Sequence, residues 1–190
     1  MFSTYEAAEE KATRRAFSVL LADRPGSLSR VVGLFRRRAF NISSLTVGRT
    51  TRSGVSRLTI VLSGTRHDSY RFEMNLRKIH DVLEVQNLSV TGAVQREFAL
   101  IRVECASKDR ERLVEMAGAL RAYIVELTER GLVLEVSGDE AKVDTVVEML
   151  RPYGLVDISR SGCVAMPRAR AKLSVGASRQ EYSTSEFGLA

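Results

Sequence analysis

Residues 16–38 read AFSVLLADRPGSLSRVVGLFRRR and carry three successive signals of local structure. Positions 16–22 form a short apolar run that is rich in strand-forming residues. The turn sequence DRPG follows at positions 23–26. From Ser27 to Arg38 the apolar residues recur at the i, i+3, i+4, i+7 spacing of one helix face, and arginines stand at the end, where the helix dipole favours cations. The stretch therefore predicts a strand, a tight loop and a helix.

The next four elements extend this start into a βαββαβ unit. The alternating segment 41–49 and the segment 56–63 predict two strands, which residues 50–55 join as a hairpin-like connection. A helix is expected from about Ser69 to His80, and a last strand from Val82 to Val90.

The same order of elements then recurs. Strands are predicted at 97–105, 123–127, 132–136 and 155–158, and helices at 109–120 and 138–150. We therefore predict an α+β protein of two ferredoxin-like units, residues 14–90 and 97–167, joined by a linker at 91–96. The polar residues 1–13 and the aperiodic residues 168–190 are expected to be flexible tails.

A βαββαβ unit is suited to association. Its two helices cover one face of a four-stranded sheet, and the other face and an edge strand need a partner. An edge strand can pair with the same strand of another copy across a twofold axis. We therefore expect at least a dimer.

Composition narrows the class of protein. The chain has 190 residues, of which 44% are hydrophobic and 27% charged, as in ordinary soluble globular proteins. Because it has neither a membrane-length apolar run nor a secretory signal, we expect a cytoplasmic location and no membrane partner. Cys105 and Cys163 lie far apart in apolar runs and are interpreted as buried hydrophobes. His67 and His80 have no acidic partner at metal-ligand spacing, so no metal site is predicted.

Motifs for catalysis are missing from the sequence. It contains no phosphate-binding glycine loop with its lysine, no Gly-x-Ser-x-Gly elbow and no metalloprotease helix, so we predict a protein that is not an enzyme. The net charge of +6 leaves a nucleic-acid partner or an acidic protein partner open. Residues 36–38 are three arginines without interleaved aromatic residues for base stacking, which disfavours nucleic acid.

The loop before the first helix has the chemistry to bind a free amino acid. A helix start leaves backbone N–H groups unpaired, and its dipole favours a carboxylate. Gly26 allows close approach of a ligand, and Asp23 could accept the ammonium group. The Asn41 amide can both donate and accept, and Ile42 and Leu28 could form pocket walls. The alternative is that Asp23 only stabilises a common type of turn.

Longer motifs resemble a known family. Residues 23–28, DRPGSL, resemble the signature loop of the ACT domain, a βαββαβ module that senses amino acids. Residues 33–50, GLFRRRAFNISSLTVGRT, are similar to the small regulatory subunit of acetolactate synthase, also called acetohydroxyacid synthase. The segments LRKIHDV at 76–82, LRPYG at 150–154 and SRSG at 159–162 extend the resemblance to an ACT-like C-terminal domain.

The resemblance implies a function for the chain. In that family a separate catalytic large subunit condenses two pyruvates, or pyruvate with 2-oxobutyrate, and it holds the thiamine diphosphate, magnesium and FAD. The small subunit needs no cofactor, activates the large subunit, and confers feedback inhibition by a branched-chain amino acid, most often valine. The effector lies between the ACT domains of a homodimer. By position, the family's effector-binding residues fall on Asp23, Gly26, Asn41 and Ile42.

Two positions depart from the family pattern. Asp23 replaces the usual asparagine, which bears on which effector binds and how tightly. Ala39 replaces a glycine, so a positive φ at this position would strain the backbone. A free-standing ACT sensor without a synthase partner is the alternative function, and the match of the second unit to the synthase subunit argues against it.

Overall fold

The computed structural model describes residues 12–169, so the predicted tails lie almost entirely outside the described residues. The elements are β1 (Thr13–Ala22), α1 (Ser27–Arg38), β2 (Ile42–Arg49), β3 (Val55–Gly64), α2 (Arg66–Leu76), β4 (Val82–Asn87), α3 (Leu88–Thr91), β5 (Ala93–Glu104), α4 (Arg110–Ala119), β6 (Tyr123–Leu127), β7 (Gly131–Gly138), α5 (Glu140–Leu150), β8 (Leu155–Arg160) and β9 (Val164–Pro167). None of the helices in this range is long and apolar enough to cross a membrane.

Two antiparallel sheets confirm the predicted fold class. The first has the strand order β2-β3-β1-β4 and the second the order β6-β7-β5-β8. In each unit the first and third strands are central and the second and fourth are edges, as in a ferredoxin-like βαββαβ unit. Strand β9 pairs with the first four residues of β5 and lies off this path.

The first core is built around Phe72, which is fully buried. Its ring centroid lies 5.0 Å from that of Phe17, 5.4 Å from that of Phe35 and 5.1 Å from that of Phe40. These rings join β1, α1, α2 and the connection from α1 to β2. Aromatic pairs at such distances add to the stabilisation from burial alone. The surrounding aliphatic residues include Val19, Leu21, Val31, Leu58, Ile60, Leu62 and Leu76. Side chains that alternate along β1 and β3 thus meet the apolar faces of both helices.

The second core repeats this arrangement. Ile101 of β5 and Leu134 of β7 are buried beneath Leu113 of α4 and Leu150 of α5. The remaining core residues are Ala99, Val103, Ala117, Leu132, Val136, Val143 and Val146. Each unit therefore has its own core between one sheet face and two helices.

A third, smaller cluster joins the two units. It consists of the buried residues Ala16, Val61, Leu88 and Ala165. Ala16 and Val61 lie on the face of the first sheet that α1 and α2 leave open, and Ala165 belongs to β9. The chain itself therefore covers part of the face that we expected an outside partner to cover.

Several boundaries differ from the sequence-based expectations. Helix α2 begins and ends earlier because Thr65 and Asp68 form a capping box, and because the backbone after Leu76 forms turns. Strand β4 ends at Asn87. The Asn87 side chain accepts a hydrogen bond from Ser89 N at 3.1 Å and thereby caps the start of α3. Residues 93–96 of the predicted linker are the start of β5, and they pair with β9, which we did not predict.

Ala39 adopts the left-handed conformation, with φ 52° and ψ 39°. The condition for backbone strain at this position is therefore met. Helix α1 ends directly before this residue. The N–H group of Ala39 donates to Arg36 O at 3.3 Å, and the N–H group of Phe40 donates to Phe35 O at 3.1 Å. This is the Schellman arrangement, in which glycine is the usual residue because it has no Cβ.

We expect Ala39→Gly to raise the free energy of unfolding by about 1 kcal/mol, because glycine removes the strain of the left-handed backbone. Urea denaturation measures this change. The same substitution at Ala117, in the body of α4, should have the opposite sign. Destabilisation by both substitutions would show that the Ala39 backbone is not strained.

Candidate functional site

The loop between β1 and α1 is held by its backbone. Asp23 N donates to Gly54 O at 2.8 Å, and Ser27 N donates to Arg24 O at 3.1 Å. Gly26 has φ +83°, and the helix begins directly after it. No side chain caps this end of α1 among the described residues, and its first turn has no acidic residue. The start of α1, which lacks a side-chain cap, is therefore suited to an anionic group.

The residues at the start of β2 have a different environment. Asn41 is exposed, and its carbonyl oxygen accepts a hydrogen bond from Ser63 N at 2.9 Å. Ile42 is half-buried and packs against the first core. The preceding Phe40 is held against Phe72, so the core fixes the main chain from which the Asn41 side chain projects.

These residues form two separate groups within one chain. Asp23, Gly26 and Leu28 lie at the N-terminal end of α1, whereas Asn41 and Ile42 follow its C-terminal end. A helix of 12 residues is about 18 Å long. We call these groups the loop half-site (residues 23–28) and the strand half-site (residues 41–42).

The sheet register gives the same separation. Ile42 is level with Leu62 and Arg15, at the beginning of β1. The loop half-site instead follows Ala22, at the other end of β1. One chain therefore does not bring the two half-sites together, although both belong to the first unit.

A cleft with a volume of about 820 Å³ lies elsewhere, between the two units. It contains none of the predicted site residues. Of its lining residues, Arg160 donates to both carboxylate oxygens of Glu97 at 2.8 and 2.6 Å, and Arg160 also donates to Asp144 on α5 at 2.6 Å. These bonds raise the pKa of Arg160 above its ordinary value. Arg14 pairs with Glu140 across the cleft.

The environment of the two cysteines differs from the prediction. Both Cys105 and Cys163 are free thiols that are half-buried, which is less burial than the sequence predicted. Burial raises the pKa of the Cys163 thiol. Across residues 12–169, no group of three or more His, Cys, Asp or Glu side chains is placed to hold a metal ion.

Family models match both units of the chain. Residues 17–84 match the model for an AHAS small subunit-like ACT domain, and residues 96–169 match the model for the small subunit of acetolactate synthase. The acetolactate synthase small subunit of Haemophilus influenzae is 38% identical over 161 residues, which are 84% of this chain and 99% of that protein. The chain belongs to the acetolactate synthase small-subunit family.

Further relatives agree with this membership. The acetolactate synthase small subunit of Bacillus subtilis is 36% identical over 156 residues, covering 82% of this chain and 91% of that protein. The crystal structure of the small subunit from Thermotoga maritima superposes with a TM-score of 0.76 at 32% identity, covering 82% of this chain and 98% of that one. Both half-sites lie in the part that matches the ACT domain of acetolactate synthase small subunits.

The sequence of this small-subunit family member did not predict an ion pair that lies behind the loop half-site. Arg30 Nε on α1 donates to Asp81 Oδ2 at 2.6 Å, and only 4% of Asp81 is exposed. The Asp81 carbonyl also accepts from Ala22 N at 2.9 Å, directly before the loop. Burial alone would raise the pKa of Asp81, but the hydrogen bond and charge of Arg30 outweigh it, and the pKa is lowered. Asp81 is a polar residue in the connection between α2 and β4, and the sequence around it did not indicate that it would be buried.

The lowered pKa of Asp81 predicts a pH-dependent stability. Because this pKa is lower in the folded than in the unfolded chain, the stabilisation is complete above about pH 5 and is lost as the pH falls through the folded-state value. We expect Asp81→Asn to be less stable at pH 7 and to lose less stability than the wild type between pH 5 and pH 3. Urea denaturation at each pH measures this, and Asp157→Asn, at an exposed position, controls for the loss of one charge. Parallel curves for wild type and Asp81→Asn would contradict the assignment.

Proposed function

We propose that this chain activates the catalytic large subunit of acetolactate synthase and confers feedback inhibition by a branched-chain amino acid, with valine as the first effector to test. Membership of the small-subunit family supports the partner. The two half-sites, set at opposite ends of α1, carry the proposal for the effector, because together they offer every group that a free amino acid requires.

The chemistry of recognition follows from these groups. The open N-terminus of α1 suits the effector carboxylate, and the Asp23 carboxylate suits its ammonium group. The Asn41 side-chain amide can bond to either end. Leu28, which is 38% exposed, and the half-buried Ile42 offer apolar surface to a branched side chain. None of these groups breaks or makes a covalent bond, so the role we propose for the chain is not catalytic.

The separation of the half-sites supports a homodimer as the functional unit. Strand β2 is an edge of the first sheet, and its last residue, Arg49, is level with Leu21, two residues before the loop half-site. Antiparallel pairing of β2 with β2 of a second copy would place the strand half-site of one chain beside the loop half-site of the other. The site would then consist of two chains, and effector binding would favour one arrangement of the dimer over others.

The catalytic subunit would supply the cofactors of the reaction. Thiamine diphosphate, magnesium and FAD are expected in that partner, as the family resemblance implies, and we assign no residue of this chain to them. The alternative function, a free-standing amino-acid sensor, would use the first unit alone. The match of residues 96–169 to the synthase small-subunit model favours regulation of the synthase.

The decisive experiment measures acetolactate formation by the cognate catalytic subunit with and without this chain, across titrations of valine, leucine and isoleucine. Activation that one of them reverses is the expected result. Activation without any amino-acid response would keep the partner and overturn the sensor. No effect on the synthase, together with binding of an amino acid to the chain alone, would favour the free-standing sensor.

Removing the Asn41 amide should weaken the response to effector. We expect Asn41→Ala to raise the effector concentration for half-inhibition about tenfold, which is the loss of one hydrogen bond to a charged group. Activation without effector should be unchanged. Asn75→Ala, which makes the same change on α2 away from both half-sites, should leave the inhibition curve in place. Equal curves for both variants would remove Asn41 from the site.

A further inference from the structure

The segment Ser161–Ala165, which we call the strap, leads from β8 into β9 and lies against the first sheet. Strand β2 holds the main chain of Cys163 on both sides. Cys163 N donates to Ser44 Oγ at 2.9 Å, and Thr46 Oγ1 donates to Cys163 O at 2.7 Å. Two hydroxyl groups of the first unit thus fix one peptide segment of the second.

The strap also has a buried contact with the middle of the first sheet. Ala165 is 2% exposed and packs against Ala16 and Val61. Its N–H donates to Thr59 Oγ1 at 3.3 Å. The strap is therefore packed as well as hydrogen-bonded, and it cannot move relative to this sheet without exposing apolar surface.

Ser44 and Thr46 lie on the same strand as the strand half-site. Between Ile42 and Ser44 the register of β2 shifts, because Ser43 is an extra residue relative to β3. Such a bulge changes the local twist and can redirect the residues that follow. A change in the backbone conformation of Asn41 and Ile42 therefore reaches Ser44 through this bulge, where the hydrogen-bond ladder between β2 and β3 can adjust.

The other end of the strap is tied to the second unit. Ser161 N donates to Phe98 O at 2.9 Å, and the preceding Arg160 is bonded to Glu97 on β5 and Asp144 on α5. Arg160 therefore links both layers of the second unit to the residue at which the strap begins. A displacement of the strap would be passed to β5 and α5.

Gly162 permits the close approach of the strap to β2. Its φ is +77°, and a Cβ added to it would lie 2.5 Å from Ser44 Oγ. Both facts exclude a larger residue at this position in the observed arrangement. This contact lies at the 820 Å³ cleft between the units, because Ser44, Gly162 and Cys163 line the cleft. The Arg14–Glu140 pair bridges the same cleft.

We infer that the strap couples the effector site to the second unit: Ser44 and Thr46 transmit the state of the strand half-site to Cys163, and from there to Arg160. The inference rests on the proposed function and adds the route by which effector binding changes the second unit. Contact of the strap with β2 is required for inhibition and is not required for effector binding.

The test uses the full chain with its catalytic subunit and valine, or whichever branched-chain amino acid inhibits the wild type. The variants are Gly162→Ala, which forces the strap away from Ser44, and the double variant Ser44→Ala with Thr46→Val, which removes both hydroxyls without straining the backbone. Gly118→Ala is the control, because an added Cβ there meets open space. Calorimetry measures effector binding, and amide exchange of residues 163–165 reports release of the strap.

The expected result is faster exchange of residues 163–165 in both test variants, with effector affinity unchanged. The ratio of synthase activity without effector to that at saturating effector should fall at least fivefold, the lower end of usual coupling. Gly118→Ala should match the wild type. Two results would overturn the coupling while leaving the proposed function intact. One is unchanged inhibition in a variant whose strap exchanges faster, and the other is an equal weakening of inhibition and effector binding. A wild-type chain that neither binds nor inhibits would instead overturn the proposed function, and the coupling with it.

Discussion

Phe72→Ala is expected to lower the free energy of unfolding by about 3–5 kcal/mol, the usual cost of deleting a buried phenylalanine. Phe72 is fully buried, and its ring is in contact distance of three other rings. The four rings belong to β1, α1, α2 and the connection from α1 to β2, so the cavity left by the ring cannot close by the movement of one of them. Urea denaturation followed by circular dichroism measures the change.

The same substitution should also disturb the strand half-site, because Phe40, which directly precedes Asn41, packs against Phe72. Tyr70→Ala is the matched control, since Tyr70 lies on the same helix and is 63% exposed. Its effect should stay within about 0.5 kcal/mol. A loss below about 1.5 kcal/mol for Phe72→Ala would mean that the aromatic cluster is not the centre of the first core.

Gly154→Ala is expected to destabilise the second unit by about 3 kcal/mol. Gly154 has φ +92°, so alanine would be strained there, at a cost of about 1 kcal/mol or more. An added Cβ would also lie under 3.0 Å from the carbonyl oxygen of Glu104, a backbone atom at the end of β5. Moving that strand adds about 1–3 kcal/mol. Urea denaturation of the full chain measures the sum.

Two other glycines separate these contributions. Gly54 has φ +69° with open space around it, so Gly54→Ala should show the backbone strain alone. Gly118 lies in α4 with neither restriction, and Gly118→Ala should stabilise the chain by up to about 1 kcal/mol. If Gly54→Ala and Gly154→Ala cost the same, the contact with Glu104 contributes nothing.

Local signals predicted the first half of the first unit closely. Helix α1 runs from Ser27 to Arg38 as expected, because a Pro-Gly turn precedes it and its apolar residues keep one period to the end. Helix α2 was misplaced by a few residues because the capping pair Thr65 and Asp68 was not recognised. Strand β9 was missed because four residues carry little periodicity, and its partners at 93–96 are remote in sequence.

The sequence predicted which residues belong to the candidate site, but it did not predict how they are arranged. The five predicted residues all belong to the first unit, yet α1 separates them into two groups. The effector-binding roles of these residues remain predictions. Asp81 and the strap could not be predicted, because the burial of a loop carboxylate and the fit of Gly162 against Ser44 depend on contacts between remote segments.

The division of the site along α1 has a consequence for mixtures of damaged chains. In a twofold pair, each binding site would take its loop from one copy and its strand from the other. A chain with a defective loop and a chain with a defective strand would then form a mixed pair in which one site carries both lesions and the other carries none. Two variants that are each insensitive to effector should recover a partial response when they are refolded together.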